Sequence, residues 1–494
     1  MNRSIILLLF SVALLVVLSS QTISQPIWVS TGENVVPALM KEHENGYFLI
    51  ARNTRLLPNG AISESMADIT NRIVYADKEM NVRHTKIISM IGDWNIMLSE
   101  SFLTDSETIL LSGIAYNESL DEYSIGMVWT DTALNVLHDT VLVMENYKLN
   151  PHGWMVQNQQ GNLVTYGTFS DLEKPFAQPS TDHYFFMVLD HQGNLLEFSE
   201  QFLTGFPFYL VPVGDDKYHM WATNNTILQL NNEFTYETSF STDLPAEITI
   251  PRLKPYLENR YFLYGDFFVD AGNGFYDTDL AVIVMDSVAN VMDSFIFGFA
   301  DTSDRGAQVS FYHPDTLFLG GARNVQPFPE DSTDFNHLFV HKTSVSGEIV
   351  ATAFYGANGM LSMGGILATS DGGCIMAGQF YDFLTHPESE IRDAVFVKVN
   401  PDGTITNLEE KKTSVNGDSF VVYPNPARDQ IFIQSNSRLK IRALLYNSTG
   451  VLISGFEFVS RVGFDVSGLP VGVYLLQLIT PDGTIKTRKV LLNY

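Results

Sequence analysis

Three aspartates near the middle of the chain have a spacing that could hold a metal ion. Asp270, Asp277 and Asp279 flank the short glycine-rich stretch 271–275. Carboxylate oxygens are the ligands that Ca²⁺ prefers, so this cluster could bind calcium. The alternative is a solvated acidic turn, which is the commoner use of such a composition. No other cofactor is expected.

Motifs for other kinds of catalysis are missing. The sequence contains no His-Glu-x-x-His, no Gly-x-Ser-x-Gly, no phosphate-binding loop and no EF-hand loop. His337 and His341 lie in an apolar strand pattern, where four residues span about 13 Å, too far to share one metal ion. Cys374, the only cysteine, is expected to be a buried small hydrophobe within a strand. We therefore predict no catalytic residues.

Aromatic residues recur in one class of longer loops. Rings in loops can bury a large area at little cost in entropy, which suits stacking on sugars or contact with proteins. The alternative is that these rings fold back over the edges of the sheets. The residues predicted to bind a ligand are Phe176, Phe275, Tyr276, Phe328 and Phe383.

A repeat must position these residues. An apolar strand, a turn opened by Asp, Asn or Ser, and an apolar residue five positions later recur along the chain, with openers 54, 59, 41, 55, 58 and 56 residues apart. Strand-only repeats of such a period are typical of propeller blades. The openers are Asp77, Asp131, Asp190, Asn231, Asp286, Ser344 and Asn400, and the later residues are Val82, Val136, Leu195, Tyr236, Val291, Ile349 and Ile405.

The repeat predicts an all-β protein, with a seven-bladed β-propeller over residues 27–410 and about four strands in each blade. Residues 27–29 could add a strand to the last blade and close the ring. The openers are interpreted as structural, because an Asx side chain accepts hydrogen bonds from the turn it begins. Gly193, Gly347 and Gly403 fit a left-handed position in a bulged hairpin.

Charge and composition exclude several classes of function. The chain of 494 residues carries 29 basic and 56 acidic residues, a net charge of −27. Residues 419–494 contain eight basic and four acidic residues, which leaves 21 basic and 52 acidic residues, or −31, for the rest. This change of sign indicates a domain boundary. An acidic body disfavours binding to nucleic acid or to anionic membranes.

The N-terminus resembles a signal peptide. Arg3 precedes the apolar run 5–18, and small residues follow at Ser19, Ser20 and Ser24. The run is shorter than the roughly 20 residues that a membrane helix needs. We expect residues 1–24 to be removed on export and the mature chain to contain no transmembrane segment.

The C-terminal residues carry an ordered set of strand and turn motifs. Tyr423, Pro424, Asn425 and Pro426 form a rigid extended entry, because each proline fixes its φ angle and lacks an N–H donor. Turn and strand signals follow in the runs 445–450, 465–470, 472–477 and 489–490, which include Gly450, Gly472, Tyr474 and Lys489.

This set resembles the C-terminal sorting domain of cargo of the type IX (Por) secretion system. The resemblance implies a small immunoglobulin-like β-sandwich over residues 419–494, after a linker at 411–418. It also implies handling by the type IX machinery, passage through the periplasm, and release or anchoring at the outer-membrane surface. Independently, the stretches 372–378 and 395–403 resemble the repeats of exported bacterial β-propeller proteins.

Three classes of function remain open. The favoured one is a non-enzymatic secreted or cell-surface protein that binds an extracellular protein or glycan. The second is a secreted hydrolase, such as a glycosidase, with its site at the mouth of the propeller channel. The third is a structural spacer. Two carboxylates about 5–10 Å apart in a deep axial pocket would favour the enzyme.

Overall fold

The computed structural model forms two compact units, Met1–Asn407 and Leu408–Tyr494, which we call the body and the tail. It describes residues 26–55, 65–104, 107–144, 147–171, 183–203, 207–213, 217–222, 226–241, 248–257, 260–270, 276–299, 303–324, 336–356, 359–382, 391–405, 420–423, 427, 430–435, 440–447, 452–459, 461–470, 472–479 and 485–492. The predicted signal peptide and the predicted linker lie outside these residues.

The described part of the body consists of antiparallel meanders, apart from one 3₁₀ turn at Met66–Asp68. We number the meanders in chain order. Meander 1 is β2 (Asn34–His43), β3 (Gly46–Thr54), β4 (Ile69–Asp77) and β5 (Val82–Ile88). Meander 2 is β7 (Trp94–Leu103), β8 (Thr108–Asn117), β9 (Glu122–Asp131) and β10 (Val136–Leu142), preceded by β6 (Met90–Ile91). Meander 3 is β11 (Tyr147–Gln157), β12 (Leu163–Asp171), β13 (His183–Leu189) and β14 (Leu195–Phe202).

The later meanders repeat this order. Meander 4 is β15 (Pro207–Val213), β16 (Lys217–Ala222), β17 (Thr226–Asn231) and β18 (Tyr236–Ser241). Meander 5 is β19 (Ile248–Pro255), β20 (Arg260–Asp270), β21 (Tyr276–Asp286) and β22 (Val291–Phe297). Meander 6 is β23 (Arg305–Phe311), β24 (Thr316–Arg323), β25 (His337–Ser344) and β26 (Ile349–Gly356). Meander 7 is β27 (Met360–Ala368), β28 (Cys374–Tyr381), β29 (Asp393–Val399) and, from the N-terminus, β1 (Ile27–Val29).

The meanders follow one another in a closed, propeller-like ring. Each shares a hydrophobic cluster with the next, and the cluster containing Tyr47 of β3 and Phe396 of β29 joins the first to the last. β1 pairs with β29 in the register Ile27↔Phe396, so the expected contribution of residues 27–29 is confirmed. Glu42 supports the closure, since its carboxylate accepts hydrogen bonds from Ser370 N at 2.8 Å and Ser370 Oγ at 2.7 Å.

The turn that follows the third strand has the same backbone construction in every meander. In meander 1 the Asp77 carboxylate accepts from the N–H of Glu79 at 3.1 Å and of Asn81 at 2.8 Å. The third residue after the opener has a positive φ angle. These residues are Met80, Leu134, Gly193, Phe234, Ala289, Gly347 and Gly403. Six of the openers therefore act in the structural role predicted for them. At Asn400 the side-chain amide instead donates to Thr404 Oγ1 at 3.0 Å, and Asp402 accepts from Thr404 N at 2.9 Å.

The residue at this left-handed position decides how neighbouring meanders pack. Phe234 is fully buried, and its ring stacks on Phe186 of meander 3 with centroids 4.7 Å apart. Where the position is glycine, the preceding meander fills the space instead. A Cβ on Gly193 would lie 2.8 Å from the Trp129 ring, and one on Gly347 would lie 2.5 Å from Phe295.

The tail contains two sheets around a separate core. One sheet has the order β30 (Phe420–Tyr423), β31 (Gln430–Ser435) and β34 (Arg461–Asp465). The other has the order β33 (Leu452–Phe458), β32 (Ile441–Asn447), β35 (Gly472–Ile479) and β36 (Ile485–Leu492). Ile431 and Ile433 of the first sheet share one hydrophobic cluster with Leu445 and Leu476 of the second.

Candidate binding site

The first strand of every meander is interrupted in its pairing with the second. In meander 2 the shift lies between Leu98 and Glu100, and in meander 5 it lies between Thr249 and Arg252. Equivalent shifts occur in β2, β11, β15, β23 and β27. A bulge bends its strand and redirects the side chains beside it. First strands of successive meanders contact one another at six of the seven junctions, and at the seventh β23 contacts β20 of meander 5. These bulges therefore surround the axis of the ring.

Small residues on the second strands make room for the bulges. A Cβ on Gly113 would lie 2.0 Å from the Met97 carbonyl oxygen, and one on Gly167 would lie 2.4 Å from that of Asn150. A side chain at either position would collide with backbone, which cannot yield as a flexible side chain does.

Ionisable side chains gather at the bulges. We call this group the axial cluster. It draws on several meanders, so no single segment of sequence contains it. Most of its members are half-buried, whereas Tyr166 and Tyr264 are buried. The members are Lys41, Arg52, Glu100, Tyr166, Tyr209, Arg252, Tyr264, Asp266 and Arg305.

Glu100 has the largest change in acidity among the carboxyl groups of the cluster. Burial raises its pKa to about 8, although the positive charge of Lys41 opposes the rise. Burial also lowers the pKa of Lys41, against the effect of Glu100. Beside them, Arg52 Nη2 donates to the Leu98 carbonyl oxygen at 2.7 Å. Glu100 is therefore largely protonated at neutral pH and can donate a hydrogen bond.

Arg252 lies between two tyrosines. It hydrogen-bonds to the hydroxyls of Tyr209 and Tyr264. Burial raises the pKa of Tyr264 to about 12, and the nearby Arg252 charge moderates that rise. Burial likewise raises the pKa of Tyr209. Both hydroxyls stay protonated, so this part of the cluster offers a cation together with two aromatic rings.

Asp266 and Arg305 connect meanders 5 and 6. Asp266 Oδ1 accepts hydrogen bonds from Gly306 N at 2.9 Å and Ala307 N at 3.0 Å, which satisfies backbone groups at the bulge of β23. Burial raises the pKa of Asp266, while these two N–H donors and the charges of Arg305 and Arg252 oppose the rise. Arg305 Nε has no hydrogen-bond partner among the described residues. At least one N–H donor of this guanidinium group is therefore not paired with the part of the protein that the structure describes.

Chemically, the axial cluster suits an anionic ligand. Lys41, Arg252 and Arg305 supply positive charge within a body of net negative charge. Guanidinium groups match carboxylates in planar, paired hydrogen bonds. The two carboxyl groups, Glu100 and Asp266, belong to meanders 2 and 5.

A polar cleft lies between meanders 3 and 4, where their first and second strands turn. This polar cleft of about 170 Å³ is lined by amides and by Glu197, Lys217 and Tyr218. Asn158 Nδ2 donates to the Tyr218 hydroxyl at 3.4 Å. The amide side chains are those of Asn158, Gln159, Gln160, Asn162 and Asn232.

The sequence-predicted ligand and metal residues are only partly described. Phe176, Phe275, Phe328 and Phe383 lie outside the described residues, as do most of the loops that carry them. Tyr276 begins β21 opposite Asp270, the last residue of β20, while Asp277 pairs with Val269 and Asp279 with Phe267. Among the described residues, no group of three or more His, Cys, Asp or Glu side chains is arranged to hold a metal ion.

The two histidines and the cysteine have structural surroundings. His341 is buried, its pKa is lowered to about 4 by burial, and its Nδ1 lies 2.8 Å from Thr352 Oγ1. His337, four residues earlier, is also on β25. Cys374 is fully buried, as expected, although it begins β28 rather than lying in mid-strand.

In the tail, the residues of the sorting motif lie at strand ends and in the core. Tyr423 ends β30, Gly472 begins β35, and Lys489 pairs with Leu475 on β36. Tyr474 is buried, and its hydroxyl donates to the Pro470 carbonyl oxygen at 2.8 Å. Pro424, Asn425, Pro426 and Gly450 lie outside the described residues.

Residues 421–493 match a family model described as the secretion system C-terminal sorting domain. The tail is a type IX sorting domain. Type IX sorting domains direct cargo to the cell surface or the extracellular space, so the sequence resemblance is confirmed and the chain is a secreted cargo with a propeller-like body. In the described part of the chain, no helix has the length and apolar character to span a membrane.

Comparison with other proteins adds no function for the body. No curated protein matches the sequence. The WD40 β-propeller domain of Doa1 is 12% identical with a TM-score of 0.42, over 76% of this chain and 96% of that one. A fungal alcohol oxidase with copper is 10% identical with a TM-score of 0.42, over 96% and 99%. The extracellular domain of a putative hybrid two-component system from B. thetaiotaomicron is 10% identical with a TM-score of 0.33, over 95% and 71%.

Proposed function

We propose that the mature protein is a non-enzymatic, surface-displayed or secreted binding protein whose axial cluster holds an acidic glycan. The body is a seven-bladed β-propeller, the tail is an immunoglobulin-like sandwich, and residues 1–24 are a signal peptide removed on export. The observation that carries the proposal is the placement of Arg252 between Tyr209 and Tyr264 at the axis.

The ligand class follows from the chemistry of these groups. Arg252 and the neighbouring Arg305 can form charge-assisted hydrogen bonds to a carboxylate, as borne by an acidic sugar. Tyrosine rings provide flat apolar area for a sugar ring and a hydroxyl for its polar edge. The net charge of −31 outside residues 419–494 would repel other anions, so local cations are needed to hold an acidic ligand and would make recognition selective.

The test compares acidic with neutral glycans. The full chain is applied to a glycan array, and the affinity for the strongest acidic ligand is measured by calorimetry. Arg252→Gln should weaken this affinity by about tenfold to a hundredfold, because it removes a charge-assisted contact. Added salt should also weaken binding.

Arg83→Gln provides a matched control. Arg83 lies on the outer strand β5, its side chain is 58% exposed, and it pairs with Asp77 at 2.5 Å. The control changes the net charge equally but should leave affinity unaltered. Equal binding of neutral and acidic glycans, or an unchanged affinity in Arg252→Gln, would contradict the proposal.

A glycoside hydrolase remains a second candidate because of Glu100. A carboxyl group with a pKa of about 8 is protonated at neutral pH and could act as a general acid. Its partner would have to be Asp266, whose Oδ1 already accepts two backbone hydrogen bonds. Release of reducing sugar by the wild type, abolished in Glu100→Gln, would place the enzyme ahead of the binding protein.

A further inference from the structure

The polar cleft between meanders 3 and 4 is lined by amide groups that the described fold leaves unused. Gln159, Gln160 and Asn232 belong to its lining, and all three residues are exposed. Within the described part of the chain, no hydrogen bond joins their side chains to another residue. Each amide group carries two N–H donors and a carbonyl acceptor. The cleft therefore presents several unpaired donors and acceptors to one small volume.

Two closed turns hold these amides in place. In the turn between β11 and β12, Asn158 N donates to the Asn162 carbonyl oxygen at 2.9 Å, and Asn158 Oδ1 accepts from Asn162 N at 2.8 Å. In the turn after β17, Asn231 Oδ1 accepts from Thr235 N at 2.8 Å. The hydrogen bond from Asn158 Nδ2 to the Tyr218 hydroxyl at 3.4 Å joins the two meanders across the cleft. The walls are thus formed before a ligand arrives, which lowers the entropic cost of binding.

The charges at the cleft favour a neutral ligand. Lys217 is the one cation among the described lining residues, and its Nζ pairs with Glu237 Oε2 at 2.9 Å. Glu197 adds a negative charge to the lining. An anionic ligand would meet this carboxylate without an unpaired cation to hold it, and such like-charge contacts are costly. The cleft differs in this respect from the axial cluster, which contains Arg252 and Arg305.

The size and lining of the cleft suit a single six-membered ring. Its volume is about 170 Å³, and a cavity of about 150 Å³ is enough for one such ring. Val188 and Pro212 add apolar surface to the lining, on which the C–H groups of a sugar can pack. Sugar hydroxyls both donate and accept hydrogen bonds, as the amide groups do.

We propose that this cleft is a second binding site of the body and takes one neutral sugar residue. Gln159, Gln160 and Asn232 would exchange their hydrogen bonds with water for hydrogen bonds with sugar hydroxyls. The proposal does not rest on the function proposed for the axis, because no residue of the cleft lining belongs to the axial cluster.

The cleft lies far from the aromatic loop that the sequence predicted to bind a ligand in meander 3. Strand β12 begins at Leu163, next to the cleft residue Asn162, and ends at Asp171, which the loop with Phe176 follows. At the usual rise of a strand, these ends are about 27 Å apart. A sugar in the cleft should therefore leave that loop accessible to another ligand.

The experiment measures binding of neutral sugars to the full chain by saturation-transfer NMR. The probes are the methyl glycosides of glucose, galactose, mannose and N-acetylglucosamine. At least one should bind with a Kd in the millimolar range, as expected for so small a ligand. Its affinity should change little between about 50 and 500 mM salt, because the ligand carries no charge.

Asn232→Ala and the double variant Gln159→Ala/Gln160→Ala should each weaken binding of that glycoside by about threefold to tenfold. The substituted residues are exposed, so both variants should fold as the wild type does. Gln192→Ala is the matched control, because Gln192 is an exposed amide at the neighbouring turn after β13 and does not line the cleft. This control and Arg252→Gln should both bind the glycoside with unchanged affinity.

Three results would overturn the proposal. One is the absence of saturation transfer to all four glycosides at concentrations up to about 20 mM, beyond the weak affinity expected of a single ring. Another is unchanged affinity in both Asn232→Ala and the double variant. The third is a loss of neutral-sugar binding in Arg252→Gln, which would place the sugar at the axis. Failure of acidic glycans to bind would contradict the function proposed for the axis and leave these outcomes unaffected.

Discussion

Aspartates at the outer turns, such as Asp190 and Asp286, receive hydrogen bonds from their own hairpins, whereas Glu100 on an inner strand is half-buried near Lys41. At Asp190, burial alone would raise the pKa, but hydrogen bonds from the side chain and backbone of Asn194 outweigh it and the pKa is lowered. At Glu100, burial dominates and the pKa rises to about 8.

This difference separates structural acids from functional candidates. The turn carboxylates are stabilised as anions by donors in their own hairpins. Because these hydrogen bonds already use their oxygen atoms, we assign them a structural role. The axial carboxyls, Glu100 and Asp266, both have raised pKa values. Groups whose environment disfavours their charged form cluster at binding and catalytic sites.

The largest expected effect is on the pH dependence of stability. In the folded state the Glu100 pKa is about 8, well above the value of about 4.3 in an unfolded chain. Between these two values the folded protein binds more protons than the unfolded chain, so its stability falls as pH rises. Glu100→Gln should remove this pH-dependent destabilisation, which amounts to up to about 5 kcal/mol at high pH.

The measurement is the free energy of unfolding in urea between about pH 5 and pH 8, the window in which the Glu100 carboxyl group titrates. The wild type should lose stability relative to Glu100→Gln as the pH increases. The control is Glu122→Gln, which substitutes a glutamate at the start of β9. A constant difference between wild type and Glu100→Gln across this window would show that Glu100 ionises as it does in water.

A smaller effect is expected from filling the space beside an axial bulge. Gly113→Ala should cost about 3 kcal/mol, because its Cβ would meet backbone and the strands must move apart. Gly372→Ala, at a turn with φ of +84° where a Cβ would only touch Pro401 Cβ at 3.9 Å, should cost about 1–2 kcal/mol of backbone strain. Chemical denaturation of both variants measures the difference, and equal losses would contradict the crowding inferred at the axis.

The sequence predicted the outer turns because their determinants are local. An Asp opener and its hydrogen bonds lie within five residues, as at Asp77 and Asn81. The sequence analysis did not recognise the asparagine four positions after each Asp opener. The side chain of this asparagine donates a hydrogen bond to the carboxylate of the opener, as Asn194 Nδ2 does to Asp190 at 2.8 Å. That signal was visible in the sequence as a recurring Asp-x-x-x-Asn.

Buried residues at the left-handed position could not be predicted from the sequence in the same way. Met80, Leu134 and Phe234 adopt a positive φ angle that costs a residue with a Cβ about 1 kcal/mol or more. Burial against the preceding meander offsets this cost, as for Phe234 and Phe186. The burial that offsets this cost involves residues about fifty positions away in the sequence. Local propensity alone therefore predicts glycine at the left-handed position.

The axial cluster escaped prediction because it is assembled from different repeats. Lys41, Glu100 and Arg252 are charged residues in first strands of mostly apolar composition, and this was the available signal. Only closure of the ring brings the three positions to one axis. The aromatic loops that the sequence favoured stay predictions.

The smallest expected effect concerns stability at an outer turn, where Asp190 begins the hairpin. Asp190→Ala removes the acceptor for Gln192 N at 2.9 Å and Asn194 N at 2.8 Å and should cost about 1 kcal/mol at neutral pH. The folded pKa of Asp190 lies below its unfolded value. Its stabilisation is therefore present above about pH 4 and is lost as the pH falls through the folded pKa. The free energies of unfolding of the wild type and Asp190→Ala should converge in acid when unfolding is followed by circular dichroism.

Asp190→Asn should lose less stability than Asp190→Ala and show no such convergence. The reason is that Asn231 already fills the equivalent role in meander 4, accepting from Thr235 N at 2.8 Å. If Asp190→Asn were as unstable as Asp190→Ala, the charge rather than the hydrogen-bond geometry would be what holds these turns, and the contrast with Glu100 would need another explanation.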